Sequence, residues 1–125
     1  MKKPGLQLAV GINRRVRASD EWFEEPDDLD RVENALKSID HIGDPLKAAA
    51  VLAYHVTRAQ GFAEGNKRTA LLLARWTLDH NGIDGHEIIN PDDRELADLL
   101  VHAAAGKDVE ATIVRFFRAR QKRPG

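Results

Sequence analysis

The sequence predicts an all-α fold, a small helical bundle, and three observations carry that expectation. Apolar residues recur at steps of three and four along successive segments, the period of a helix face. Asp44-Pro45 and Asn90-Pro91 each join a side-chain cap to proline, the residue suited to a first helical turn. Asn81-Gly82 and Gly106 stand where helices would stop. Taken in order, residues 1–26 read as an N-terminal extension of uncertain structure, with Leu6–Ile12 a short strand or an irregular piece. Within Asp27–Ile39, Leu29, Val32, Leu36 and Ile39 share one stripe. That is an amphipathic helix whose first turn suits Pro26 and the acids. Pro45–Ala59 is apolar nearly all round and is expected as a buried central helix. Gln60–Gly65 breaks it with two glycines, and Asn66–His80 resumes a helix through Leu71, Leu72, Leu73, Ala74, Trp76 and Leu78. Ile83–Asn90, with Gly85 inside, is short and reads as extended. Asn90-Pro91 then opens a helix carrying Leu96, Leu99, Leu100 and Ala103. Asp108–Arg120 is the last, with Val109, Ile113, Phe116 and Phe117 apolar. Trp22, Trp76, Phe116 and Phe117 are expected in the core.

A chain of 125 residues is expected to form one domain, residues 1–125, around one core. Its 42% hydrophobic and 31% charged residues are an ordinary globular mix. Lys plus Arg is 19 against 20 for Asp plus Glu, a net charge of −1, which argues against direct nucleic-acid binding. The absence of cysteine excludes disulfides and thiolate chemistry. No apolar run approaches the roughly 20 residues needed to cross a bilayer, so no membrane partner is expected. Lys2 and Lys3 before Leu6–Val10 faintly suggest a signal start. The stretch is too short and Asn13, Arg14 and Arg15 follow it without a cleavage site, so a cytoplasmic location is expected. The balanced charge is segregated. The N-terminus is basic, Asp20, Glu21, Glu24, Glu25, Asp27, Asp28, Asp30 and Glu33 crowd one stretch, and Arg115, Arg118, Arg120, Lys122 and Arg123 make the end basic. These are solvated faces or, on a sharper reading, a docking surface on a basic C-terminal helix.

One segment carries chemistry: Gln60-Gly61-Phe62-Ala63-Glu64-Gly65-Asn66-Lys67-Arg68-Thr69-Ala70, between the two central helices. Unpaired N–H groups at a helix start, together with the dipole, favour anions. Gly65 lets the backbone approach a ligand, and Asn66, Lys67 and Arg68 add donors and positive charge at the same place, so the segment suits a phosphate. Glu64 is a hard oxygen ligand suited to Mg²⁺, which needs only one or two carboxylates beside phosphate oxygens. The competing reading is an inter-helix turn with a glycine and surface charges. A Walker P-loop is excluded, because Asn66 rather than lysine follows Gly65.

The segment resembles the signature loop of the Fic/Doc family, His-x-Phe-x-(Asp/Glu)-(Gly/Ala)-Asn-(Gly/Lys)-Arg. Phe62, Glu64, Gly65, Asn66, Lys67 and Arg68 fit in register. The run Asn66–Leu71 is similar to the Doc (death-on-curing) version; adenylylating Fic proteins have glycine where Lys67 stands and a second arginine where Leu71 stands. The resemblance covers residues 45–120, and the N-terminal third matches loosely. It implies a Fic/Doc-like helical bundle with the motif loop between two central helices. It further implies a toxin of a toxin–antitoxin pair that transfers the γ-phosphoryl of ATP to a threonine of a translation factor, elongation factor Tu, and is neutralised in trans by a cognate antitoxin. Carried over by position, Gly65, Asn66, Lys67 and Arg68 would bind the phosphates of ATP, Lys67 and Arg68 would also act in catalysis, Glu64 would hold Mg²⁺ and Phe62 would anchor the loop. Self-regulating Fic proteins carry (Ser/Thr)-x-x-x-Glu-(Gly/Asn). No serine or threonine here has a glutamate four residues on, which favours a separate antitoxin.

The family's histidine, the general base on the target hydroxyl, falls on Gln60, whose amide takes no proton near pH 7. Three alternatives follow: slow catalysis with Gln60 orienting the hydroxyl, a different base, or a module that binds nucleotide without transfer. A general base is worth about 10²–10⁴-fold, and a loose phosphoryl-transfer transition state demands early deprotonation less. His55 is the nearest substitute base, with helix packing as its competing role. His41, His80, His86 and His102 are expected as surface or capping residues.

Overall fold

The structure, a computed structural model, describes residues 1–17 and 26–121. Its described residues form seven helices and no strand: α1 (Leu6–Val16), α2 (Leu29–Lys37), α3 (Pro45–Ala59), α4 (Asn66–Asp79), α5 (Gly85–Ile88), α6 (Arg94–Ala104) and α7 (Glu110–Arg120). Trp22, the acids Asp20, Glu21, Glu24 and Glu25, and Lys122 and Arg123 lie outside the described residues.

α3 is the central post. Asp44 caps it by accepting from the Leu46 N–H at 3.1 Å, and Pro45 occupies the first turn, where its missing N–H costs nothing. Ala48, Ala49, Ala50 and Ala53 present so little side chain that other helices approach α3 on several sides. One group of buried side chains joins Leu46, Ala49, Ala50, Ala53 and Tyr54 of α3 to Leu78 of α4, Ile88 of α5, Leu96 and Leu100 of α6, and Ile113 and Phe117 of α7. A second joins Ala48, Val51, Leu52 and Val56 of α3 to Ala9 of α1, Val32 and Leu36 of α2, Phe62, and Leu73 of α4. α3 and α4 belong to both groups, so the loop that connects them is clamped at each end by core.

Several expectations need correction. Leu6–Ile12 is neither strand nor irregular; it lies in α1. Leu6, Leu8, Val10 and Ile12 alternate like a strand, but packing against α2 and α4 selects the helix, which buries Ala9 and Asn13. Ile83–Asn90 is not extended. Asp84 caps a single turn by accepting from the His86 N–H at 3.0 Å, and the Gly85 N–H donates to Asp79 Oδ1 at 2.7 Å. Asn90-Pro91 does not open α6. The Asn90 side chain accepts from the Asp92 N–H at 2.9 Å in a turn, and Asp93 is the cap. Trp76 is half-buried rather than core and stacks on His80 with ring centroids 4.2 Å apart. Phe116 and Phe117 are buried as expected. The Gly106 N–H donates to Ala103 and the Lys107 N–H to His102, which closes α6. Two cations of the basic last helix serve the fold itself, Arg118 pairing with Asp44 at 2.8 Å and Arg120 with Asp93 at 2.5 Å.

Candidate functional site

α3 ends where Gln60 turns left-handed, at φ 47° and ψ 44°. Such a conformation is uncommon outside glycine and costs roughly 1–2 kcal/mol, so surrounding contacts must hold it. Gly61 lies against the start of α2, where its carbonyl accepts from the Asp28 N–H at 2.6 Å. A Cβ there would stand 2.6 Å from Val32 Cγ2 and 2.9 Å from the Asp28 carbonyl oxygen, so only glycine fits. Phe62 is buried in the core beside α2, as expected of a loop anchor.

The Asn66 carboxamide closes the loop on itself. Its Oδ1 accepts from the Phe62 N–H at 3.1 Å and its Nδ2 donates to the Phe62 carbonyl at 2.8 Å. Asn66 therefore shapes the turn, and its position also lines the cleft described below. From the other side α1 holds the loop through a chain of polar contacts. Asn13, buried to 1% exposure, donates through Nδ2 to the Glu64 carbonyl at 2.8 Å and to Thr69 Oγ1 at 3.2 Å. Its Oδ1 accepts from Arg17 Nε at 2.6 Å. Arg17 in turn donates to both carboxylate oxygens of Asp27 at 2.5 Å, and Asp27 Oδ1 accepts from the Ala63 N–H at 2.8 Å. Burial pushes the Asp27 carboxyl upward. The bonds from Arg17 and Ala63 and the charges of Arg17 and Arg14 outweigh it, holding the group below its ordinary range.

Gly65 is the N-cap of α4, with φ 76°, a conformation glycine takes at no steric cost. A Cβ there would lie 3.2 Å from Asn13 Nδ2 and 3.3 Å from Val16 Cγ2. The first N–H of α4 to find a helical carbonyl is that of Thr69, on Gly65 at 2.9 Å, so the N–H groups of Asn66, Lys67 and Arg68 precede the ladder. The first turn carries no acid; it carries Lys67 and Arg68, both exposed and in no ion pair with the described residues. Two cations at the positive end of a helix dipole repel it, and an anion relieves all three.

Lys67 and Arg68 open onto a cleft of about 440 Å³ that Gln60, Glu64, Gly65 and Asn66 also line. Thus the six residues expected from the sequence to act on nucleotide, metal or acceptor, Gln60, Glu64, Gly65, Asn66, Lys67 and Arg68, share one cleft, while the motif's Phe62 lies in the core. Val16 of α1, Thr57 of α3 and Ala104 of α6 complete it. Gln60 reaches across, its Nε2 donating to the Ala104 carbonyl at 2.9 Å. Glu64 is half-buried in the wall. No cluster of three or more His, Asp or Glu able to hold a metal occurs among the described residues, so a cation here would depend on Glu64 and the ligand's own oxygens. His55 is not in the cleft. Its Nε2 lies 3.0 Å from Glu110 Oε2, on a separate groove with Arg31, Asn34 and Arg58, so it is no substitute base. His80 caps α4, its Nδ1 2.9 Å from the Trp76 carbonyl, and His41, His86 and His102 are exposed.

Sequence reasoning missed Asn13, Arg17, Thr57 and Ala104. Asn13 meets partners 51 and 56 positions away, a pairing that no local pattern announces. No helix of the described residues is long and apolar enough to cross a membrane. A family model described as the Fic/DOC family matches residues 5–78, more than half of the chain. The match takes in α1 and α2, ahead of the segment in which the resemblance is clearest. No curated protein matches the chain.

Proposed function

The chain belongs to the Fic/DOC family, and from that premise we propose that it is a Doc-type toxin that transfers the γ-phosphoryl group of ATP to a hydroxyl of a translation factor of the elongation factor Tu kind. The observation that carries this reading is the start of α4. N–H groups that precede the helical ladder and the cations Lys67 and Arg68 stand at a cleft that Gln60 and Glu64 also line. ATP supplies the phosphoryl group, and Mg²⁺ neutralises phosphate oxygens. Glu64 fits as the carboxylate ligand of that ion. Lys67, Arg68 and the N–H groups after Gly65 bind the phosphates and stabilise charge as it spreads over them. Catalysis of this type is mainly positioning and electrostatics, which these residues supply. The bond from the γ-phosphorus to the leaving diphosphate oxygen breaks as one to the acceptor oxygen forms. Gln60 orients the acceptor hydroxyl, whose proton passes to solvent, because an amide takes none. Lys67 favours phosphorylation over adenylylation by resemblance to Doc. A cognate antitoxin acts in trans, as is usual in this family; co-purification with a small protein encoded beside this one tests that partnership.

One observation favours a second reading. The Gln60 amide is engaged with Ala104 and lacks basicity, which suits a nucleotide- or partner-binding module without transfer. Incubation of the protein with elongation factor Tu and ATP labelled at the γ or the α position separates the readings. Transfer of the γ label is expected, and transfer of the α label instead makes it an adenylyltransferase. Should neither label move until Gln60→His is introduced, the wild type is a binding module. Failure of Gln60→His as well overturns the enzyme reading.

A further inference from the structure

Among the described residues, Thr57 Oγ1 is the only fully buried side-chain polar atom without a hydrogen-bond partner. Thr57 is 0% exposed and sits in the last turn of α3, in the wall of the cleft that holds Gln60, Lys67 and Arg68. A helix offers threonine an easy remedy, a bond to the carbonyl four residues back. Thr77 takes it, donating to Leu73 at 2.8 Å. Thr69, equally buried, accepts from Asn13. Thr57 alone stays unsatisfied, a cost that valine of the same shape would avoid. Three positions on, Gln60 reaches to the Ala104 carbonyl, and both residues line the same cleft. That clasp is a single exposed neutral hydrogen bond, cheap to exchange for another.

We propose that Thr57 is a further ligand-binding residue of this cleft, its hydroxyl donating to a phosphate oxygen of the bound nucleotide once the Gln60 side chain releases Ala104. The inference rests on the nucleotide-binding reading above. An O–H bond to an anionic oxygen is stronger than a neutral one. The ligand therefore gains from a group that is a burden to the empty protein. A ligand for the hydroxyl also explains why threonine stands among the buried residues of α3, which apart from it and Tyr54 are all aliphatic.

The test is calorimetric titration of the full chain with Mg·ATP, alongside thermal melts without nucleotide. Thr57→Val is expected to melt about 4 °C higher than wild type in the empty state and to bind ATP about tenfold more weakly. Thr57→Ser, which keeps the hydroxyl, is expected to bind like wild type. Thr57→Ala is expected to share the weakened binding, which covers a valine variant that does not fold. Arg68→Ala serves as the control on the phosphate site. If Arg68→Ala weakens binding while the valine and alanine variants bind like wild type, Thr57 has no contact with the ligand and the phosphate site stands. If wild type itself binds no ATP, the nucleotide-binding reading fails and this inference falls with it.

Discussion

At the scale of single residues, the loop is defined by what cannot be changed. Gly61 has Val32 Cγ2 and the Asp28 carbonyl where a Cβ would sit. Gly61→Ala is expected to destabilise the protein by about 2 kcal/mol, measured by urea unfolding, since backbone must shift to admit the methyl group. Asp27 makes the loop sensitive to acid. Its folded-state pKa is lowered, so the stability it contributes is fully present above the ordinary carboxylate value of 3.8 and is lost as pH falls through the lower folded value. Hydrogen-exchange protection of the Ala63 amide, which donates to Asp27, is expected to hold from neutral pH down to that ordinary value and to collapse only below it. In Asp27→Asn the protection should be weaker and independent of pH; an unchanged acid transition in that variant would exclude Asp27 as its source. The motif residues Phe62, Glu64, Gly65, Asn66, Lys67 and Arg68 were legible in the sequence because they are contiguous. Asn13 and Thr57 were not, because a buried asparagine in α1 and an unsatisfied threonine in α3 acquire meaning only from distant neighbours.

At the scale of elements, helix starts distinguish scaffold from site. α2, α5 and α6 begin with an aspartate cap and an acid in the first turn, which suits their dipoles. α4 begins with Gly65, Lys67 and Arg68 and has no acid there. Lys67→Ala and Arg68→Ala are each expected to weaken ATP binding about tenfold, read by calorimetry, and to lower its salt dependence because a surface cation is lost. Unchanged affinity in both would remove the phosphate site from α4. The boundaries of α3 and the start of α4 were legible because Asp44-Pro45 and Gly65 are strong local signals. The errors fell on α1, α5 and the start of α6. There, local alternation, a glycine and an Asn-Pro pair pointed one way, and tertiary contacts or a competing aspartate cap pointed another.

At the scale of the whole molecule, α3 and α4 tie two groups of buried side chains into one structure. Leu52 lies in the group beside α1 and α2, and Leu100 in the group beside α5, α6 and α7. Leu52→Ala and Leu100→Ala are each expected to cost about 2–5 kcal/mol in urea unfolding, and the double variant to lose close to the sum, because the two sites share no cluster. A two-step transition would instead show that the groups unfold separately. The sequence by itself determined the all-helical class, the central apolar helix and the motif loop after it, since each rests on helical period, local caps or contiguous residues. Only the tertiary structure decided that α1 is a helix, that its Asn13 and Arg17 hold the loop, that Gln60 reaches Ala104 and that His55 faces away. Those outcomes depend on residues far apart in sequence being packed together, where burial and unmet hydrogen bonds outweigh local preference.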